Sequence, residues 1–509
     1  MNFASDLLRD RPPEGLALVE LARDGTRREW TFGEVAAKGA LMASALRARG
    51  VGRGDVVMTL IGNRPEWVLT MMACFRIGAV VLPCTEQLRA KDLELRLEVA
   101  RPELIVADER NAEELEAARP RCEVLWVGAS KKGCPAPLRA HAHGAPPTDI
   151  HIPPPPPADL EENDPALITF TSGTAGEPKA VVHGQRYLYG QRVQAERWLG
   201  ASAGELVWCT AASGWSKSAR NVFMAPWLMG APALLHDARF DPHERLDLIE
   251  RERVSVLCMA PTEYRVIAKR TTLRALPTLK GMVAAGEALN PEVLRAWREA
   301  TGLDIRDGYG QTETGQMTGM AIGQPARLGS MGMALQGVRL SVVDGELVAD
   351  PTSVPTFFLG YLGEGVRREA GGGWTVRDRR DGGLWHTGDR VVQDDDGYLR
   401  FEGRSDDVII SAGYRIGPFE VESALVAHPA VAEAAAVSAP NEERGAVVRA
   451  VVVLRDSYEP SPELVSDLQE HVKRETAPYK YPRIVEFVAE LPKTASGKVR
   501  RAQLRDPTS

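Results

Sequence analysis

The run Thr171-Ser172-Gly173-Thr174-Ala175-Gly176-Glu177-Pro178-Lys179 comes directly after the apolar segment 166–170. A short apolar run closed by Gly and Pro reads as a buried strand. The run after that strand carries chemistry. Glycines free the backbone to wrap an anion, hydroxyl and amide groups donate to phosphate oxygens, and Lys179 supplies charge. The pattern is not the common P-loop, because after Gly173 and four residues comes Pro178 rather than a Gly-Lys pair. Taken alone, the stretch reads equally well as a Ser/Thr/Gly turn between elements. Elsewhere, apolar runs at 56–61, 104–107 and 254–259 alternate with amphipathic segments, which predicts α/β layers with mainly parallel strands. A strand at 281–285 precedes a helix over 291–301, with Asn290 as N-cap, Pro291 in the first turn and Gly302 closing the end. The prolines of 153–157 predict an extended surface loop. From about Ser405 the pattern changes to a small α+β unit of roughly 100 residues: helices at 418 onward and 462–474, and strands at 431–437, 446–454 and 484–488.

Five more segments come after the first in order: Ala284-Ala285-Gly286-Glu287, Tyr309-Gly310-Gln311-Thr312-Glu313, Trp385-His386-Thr387-Gly388-Asp389, Gly403-Arg404-Ser405-Asp406-Asp407 and Pro492-Lys493-Thr494-Ala495-Ser496-Gly497-Lys498. Together they make the chain resemble the acyl-adenylate-forming superfamily over about residues 30 to 505. Within that superfamily, Gly413-Tyr414-Arg415-Ile416-Gly417-Pro418 and Thr476-Ala477-Pro478-Tyr479-Lys480-Tyr481-Pro482-Arg483 are most similar to the medium-chain acyl-CoA synthetases. The resemblance implies an α/β fold with two parts. One is a large multi-subdomain N-terminal adenylate-forming domain, 1–403; the other is a small mobile α+β C-terminal domain, 404–509, turning about a hinge near Asp406.

The resemblance also assigns roles. ATP would be held by Thr171 through Lys179, by Gly286 and Glu287, by Asp307, Gly308, Tyr309, Gly310, Gln311 and Thr312, and by Asp389, Arg404, Arg415 and Lys498. An aromatic face at Tyr309 suits a purine, Thr312 would reach the α-phosphate, and Asp389 would accept from the ribose hydroxyls. Glu313 would hold Mg²⁺, a hard cation that favours carboxylate and phosphate oxygens. Lys498, with Thr312 and Glu313, would be catalytic, because carboxylate attack on the α-phosphate gathers negative oxygens that need a cation. Coenzyme A would meet Gln87, Ala412, Gly413, Tyr414, Arg444, Lys473, Tyr481, Pro482 and Arg483. The acyl pocket would be walled by Trp215 and Gly286. Lys217, two residues after Trp215, is expected to point to solvent. The chain departs from the family pattern at Ala175, Ala212-Ser213 and Ala412; the second of these adjoins the acyl pocket.

Composition narrows the alternatives. A chain of 509 residues exceeds one hydrophobic core and predicts at least two domains. Its 62 Lys plus Arg against 69 Asp plus Glu, without a block of like charge, give no nucleic-acid footprint. The apolar stretch 222–235 holds Pro226 and Pro232 and falls short of the roughly 20 residues of a membrane helix, so no membrane span is expected. The N-terminus lacks a signal-peptide core, and the 6 cysteines lack CxxC spacing, which predicts reduced thiols, no zinc site and a cytoplasmic protein. The expected activity is an AMP-forming acid–thiol ligase joining a medium-chain or related fatty acid to coenzyme A through acyl-AMP, with ATP, Mg²⁺ and CoA as partners. The alternatives are a benzoate-type aryl-CoA ligase, an adenylating enzyme with another acceptor, and a non-catalytic nucleotide or acyl-CoA binding protein. An amino-acid-activating domain fits less well, because no carrier domain is seen after the last segment and the Trp215 segment offers no carboxylate for an ammonium.

Overall fold

The computed structural model describes residues 1–128, 153–171, 178–287, 289, 291–369, 373–405, 407–411, 414–441, 444–494 and 498–505, without the Arg415 side chain. Two nine-stranded sheets dominate. The first runs in the order Trp374–Val376, Gly365–Arg368, Gly360–Leu362, Ala180–Gly184, Pro165–Phe170, Val80–Cys84, Val56–Leu60, Leu104–Asp108 and Glu123–Val127. The second runs Met333–Ala334, Gly315–Gly319, Ile305–Gln311, Gly281–Ala285, Val256–Met259, Val207–Cys209, Ala233–His236, Leu16–Leu21 and Arg27–Thr31. In the second sheet the central pairings are parallel and antiparallel strands sit at both ends; the first is parallel from Pro165–Phe170 to Glu123–Val127 and turns antiparallel where Pro165–Phe170 meets Ala180–Gly184 and that strand meets Gly360–Leu362.

Side-chain alternation explains the layering. Val57 and Val81 of the first sheet face the same core as Val256 and Cys258 of the second, while Val56, Met58 and Leu60 face the opposite way. A period of two thus gives each strand two buried faces, which is why these segments read as unbroken apolar runs. The helices Phe32–Arg47, Pro65–Ile77 and Gln185–Gln194 fill the space between the sheets. Pro242–Arg251, Pro261–Arg270 and Pro291–Thr301 cover the second sheet, and Ala90–Ala100 and Ala112–Ala117 cover the first. The result is five layers, αβαβα. The helix expected at 291–301 is present with those bounds, and Gly302 ends it at φ 74°, its N–H donating to the Arg298 carbonyl. Its expected cap, Asn290, lies outside the described residues. The proline tract runs along the surface, where Arg76 Nε donates to the Pro155 carbonyl at 2.9 Å.

A four-stranded antiparallel sheet, Leu340–Val343, Glu346–Ala349, Trp385–Gln393 and Leu399–Arg404, leads to the C-terminal unit. The apolar pattern does not announce it, because strands such as Leu340–Val343 alternate only between half-buried and exposed positions. The C-terminal unit holds the helices Pro418–Ala427 and Pro462–Glu475 and the sheet Val431–Asn441, Gly445–Leu454, Ile484–Phe487, close to expectation. It adds a hairpin, Ile409–Ser411 with Tyr414–Ile416, and a short helix, Arg501–Arg505. Among the described residues no helix is long and apolar enough to cross a membrane.

Candidate active site

Parallel strands present their carboxyl ends on one side of a sheet, and open α/β folds place ligands there. Here the segments after Val80–Cys84, Pro165–Phe170, Val207–Cys209, Val256–Met259, Gly281–Ala285 and Ile305–Gln311 all open into one cleft of about 2390 Å³. The C-terminal unit closes its far side with Pro418, Phe419, Glu422, Lys498 and Arg501. Lys269 Nζ, from the helix Pro261–Arg270, reaches across to donate to the Ala432 carbonyl at 2.7 Å.

Gln311, Tyr309 and Asp389 form the centre of the cleft. Tyr309 Oη donates to Asp389 Oδ2, and Gln311 Nε2 donates to the same oxygen at 2.9 Å and to the Thr387 carbonyl at 2.7 Å. Trp385 Nε1 in turn donates to Gln311 Oε1 at 3.0 Å, and Arg404 Nη1 stands 3.6 Å from Asp389 Oδ1. Segments far apart in sequence therefore fix one carboxylate. Burial raises the Asp389 pKa, against the opposing pull of Tyr309 and Arg404, and burial drives the Tyr309 hydroxyl well above its ordinary range. Asp307 lies deeper, with one hydrogen bond from the Gly308 N–H at 2.8 Å; burial pushes its carboxyl up to about 8, so it is largely protonated at neutral pH.

Glu313 accepts from Tyr361 Oη at 2.8 Å, and Lys179 Nζ lies 4.7 Å over the Tyr361 ring. Glu287 accepts from Thr262 Oγ1 at 2.6 Å. Lys498 is tied to Thr494, whose N–H donates to the Lys498 carbonyl at 2.7 Å and whose Oγ1 accepts from the Lys498 N–H at 3.2 Å. Its ammonium points into the cleft, where burial lowers its pKa while Glu287 and Asp389 pull it back up. Glu313 suits Mg²⁺: one carboxylate at a polar cleft, with the remaining ligands left to phosphate and water, is how that ion is usually bound. Among the described residues no group of three or more His, Cys, Asp or Glu could hold a metal without such help.

The wall expected to line the acyl pocket begins at Gly214, whose φ of 88° needs glycine and whose place a side chain could not take, since a Cβ there would collide with the Thr85 backbone nitrogen. That close approach sets Trp215 on the cleft wall, half-buried, with its carbonyl accepting from Ser218 Oγ at 2.7 Å. Gly286, at φ 102°, lines the same cleft. Lys217 corrects the expectation that it points to solvent. It is half-buried in the cleft, Nζ donating to the Ala285 carbonyl at 3.3 Å and standing 3.4 Å from where a Gly286 Cβ would be.

The cleft thus gathers Thr171, Pro178, Lys179, Gly286, Glu287, Asp307, Gly308, Tyr309, Gly310, Gln311, Thr312, Glu313, Asp389, Arg404, Lys498, Trp215 and Gln87. Ser172 through Glu177, Asp406, Ala412 and Gly413 lie outside the described residues. The other residues expected at CoA stay away from the cleft. Lys473 and Arg483 lie over the Tyr481 ring, Pro482 accepts from Gln469, and Tyr414 stacks on Tyr479 at 4.4 Å on the exposed side of the C-terminal unit. Arg444 lies in the turn after Asn441, its N–H donating to Asn441 Oδ1. Sequence reasoning missed Tyr361, Thr262, Trp385 as the prop of Gln311, and Arg220. Trp385 opens a segment that the sequence singles out, but its bond to Gln311 is not legible there; Tyr361, Thr262 and Arg220 carry no spacing signal, and tertiary contacts alone bring them in.

Residues 9–361 match the family model of the AMP-binding enzyme, and residues 420–498 match that of the AMP-binding enzyme C-terminal domain. The chain is 37% identical over 504 residues to the acyl–CoA ligase YtcI of Bacillus subtilis (strain 168), covering 96% of this chain and 92% of that protein. It is 38% identical to the mitochondrial acyl-coenzyme A synthetase ACSM3 of Rattus norvegicus, over 95% of this chain and 85% of that one. Its fold is similar to that of the anthranilate CoA ligase AuaEII in complex with anthranoyl-AMP, with a TM-score of 0.86, 27% identity, and 99% and 96% of the two chains covered. Matched along most of its length, with the ordered segments converging on one cleft, the chain belongs to the AMP-binding enzyme family.

Proposed function

We propose that this protein is an ATP-dependent carboxylate:CoA ligase. In the first half-reaction a carboxylate oxygen would attack the α-phosphorus of ATP, forming acyl-AMP and expelling pyrophosphate. In the second, the CoA thiol would attack the acyl carbon, forming the thioester and expelling AMP. The observation that carries this reading is the arrival of Lys498, from near the end of the chain, in the cleft that also holds Glu287, Thr312, Glu313 and Asp389. A positioned ammonium beside developing phosphoryl charge is the arrangement that adenylation requires.

In this reading Tyr309 lies against adenine, Asp389 and Arg404 hold the ribose, and Lys179 with the loop before it cradles the β- and γ-phosphates. Mg²⁺ bound at Glu313 supplies charge neutralisation of the phosphates. Trp215 and Gly286 wall the acyl group. The domain limits are 1–403 and 404–509, with Asp406 as the hinge. Lys473, Tyr481, Pro482 and Arg483 would meet CoA only after the smaller domain turns, which accords with their distance from the cleft. Medium-chain acids are the favoured substrates on the relationship to ACSM3; the likeness to an anthranilate CoA ligase keeps aromatic acids as the second reading. A cytoplasmic address suits the buried free thiols Cys74, Cys84, Cys209 and Cys258.

The test is direct. The purified chain is incubated with ATP, Mg²⁺, CoA and a panel of short, medium, branched and aromatic acids; pyrophosphate is measured and the thioesters are weighed. Pyrophosphate release that depends on the acid, together with a thioester of the expected mass, is the predicted result. Nucleotide binding without either product refutes the proposal.

A further inference from the structure

The helical stretch after Trp215 puts two cations on the cleft wall. Ser216–Ala219 is α-helical, Arg220–Met224 widens to a π-turn, and Ala225–Leu228 returns to α. A π-turn inside a helix reorients the side chains at its edge and is frequent at functional sites. Lys217 and Arg220 are three residues apart and both line the cleft.

Arg220 is only 5% exposed, and its Nε and Nη1 have no hydrogen-bond partner among the described residues. Its guanidinium lies near the Tyr187 hydroxyl and the Gly315 backbone. Lys217 donates to a backbone carbonyl. Neither cation is in an ion pair among the described residues, although the cleft is rich in carboxylates. Four of them are engaged elsewhere: Glu263 by Thr210 and Arg245, Glu287 by Thr262, Glu313 by Tyr361, Asp389 by Tyr309 and Gln311. Arg245, on the same cleft, shows the usual solution, with Glu263 at 3.1 Å and the Trp208 ring beneath it. A buried guanidinium without a counter-ion is costly, because desolvation is not offset by Coulombic attraction. The Tyr187 hydroxyl offsets part of that cost by hydrogen bonding to the guanidinium, and a bound anion would offset the rest.

We infer that the acyl pocket selects dicarboxylic acids, the distal carboxylate being held by the Arg220 guanidinium and the Lys217 ammonium while the proximal one is activated. The planar fork of Arg suits a carboxylate in two-point contact. Trp215 and both cations line this one cleft, so a chain bound along it from Trp215 can bring its far end to them. This inference rests on the ligase reading and names its substrate class.

The experiment compares matched acids with the full chain, ATP, Mg²⁺ and CoA: hexanoate, adipate and monomethyl adipate, then octanoate, suberate and monomethyl suberate. Thioester mass and pyrophosphate release give kcat/KM for each. Truncating one partner of a buried charge pair usually changes binding by roughly 30-fold or more. The diacid of at least one length should therefore exceed both its monoacid and its methyl ester by about that factor. In Arg220→Leu and in Lys217→Met the diacid-to-monoacid ratio should fall by about tenfold or more. Should Arg220→Leu fail to fold, Lys217→Met at its half-buried position still reads the ratio. Wild-type preference for monoacids at both lengths, or a ratio unchanged in Lys217→Met, overturns the inference while leaving the ligase reading intact. Absence of any thioester or pyrophosphate with every acid overturns both.

Discussion

Replacing Lys498 by Ala tests whether the C-terminal unit supplies chemistry or only closes the cleft. The ammonium enters a site where burial lowers its pKa from 10.5, with Glu287 and Asp389 favouring the charge and Lys217 and Arg404 opposing it. Loss of one preorganised donor at a developing oxyanion typically costs 10²- to 10³-fold, about 3 kcal/mol or more. Acyl-AMP formation, monitored as pyrophosphate release in a single turnover, should slow by at least about a hundredfold. Thioester formation from supplied acyl-AMP should fall far less, because no bond to phosphorus forms or breaks in that step. Stability should move in the opposite sense. For an amine whose folded pKa is depressed, the cost of holding the charge in the fold is absent above about pH 10.4 and complete below the folded pKa, hence present at neutral pH. Lys498→Ala should therefore melt at or above the wild-type temperature at pH 7. Equal losses in both half-reactions, or a variant that melts well below wild type, would refute the reasoning and make Lys498 a structural residue.

The remaining expectations concern single positions. Asp307, with its pKa raised to about 8 by burial, favours the fold most below the ordinary carboxylate range and loses that contribution as pH rises through about 8. Asp307→Asn should thus raise the melting temperature more at pH 8.5 than at pH 4.5; equal shifts at both values would show that the carboxyl is not protonated in the fold. Trp215→Ala should enlarge the acyl pocket and move preference toward bulkier acids with the KM for ATP changed no more than a few-fold, as kcat/KM across the acid panel will show; a uniform loss for every acid would place Trp215 in structural support instead. Asp406→Pro, which fixes φ near −65°, should preserve pyrophosphate release and abolish thioester formation from pre-made acyl-AMP; near wild-type rates in both half-reactions would place the hinge elsewhere.

The layered α/β architecture and the order of the chemical segments are legible in local sequence. Strands buried on both faces, such as Val56–Leu60 and Val256–Met259, leave unbroken apolar runs, and capping residues such as Gly302 act within a turn of their own helix. Glycines are legible for the same local reason. Gly286 at φ 102° and Gly302 at φ 74° answer to their own backbone, whereas Gly214 also answers to the Thr85 backbone across the fold. Which charges meet is settled only by the packed fold. Asp389 is fixed by Tyr309 and Gln311, some 80 and 78 residues away, and Glu313 by Tyr361, 48 residues away. Lys217 has the sequence surroundings of a surface cation because its immediate neighbours are Ser216 and Ser218. The fold turns it inward because the carboxyl end of Gly281–Ala285 lies beside it. Whether a buried cation such as Arg220 finds a carboxylate depends on strands brought together from across the chain, and no local pattern of residues encodes that meeting.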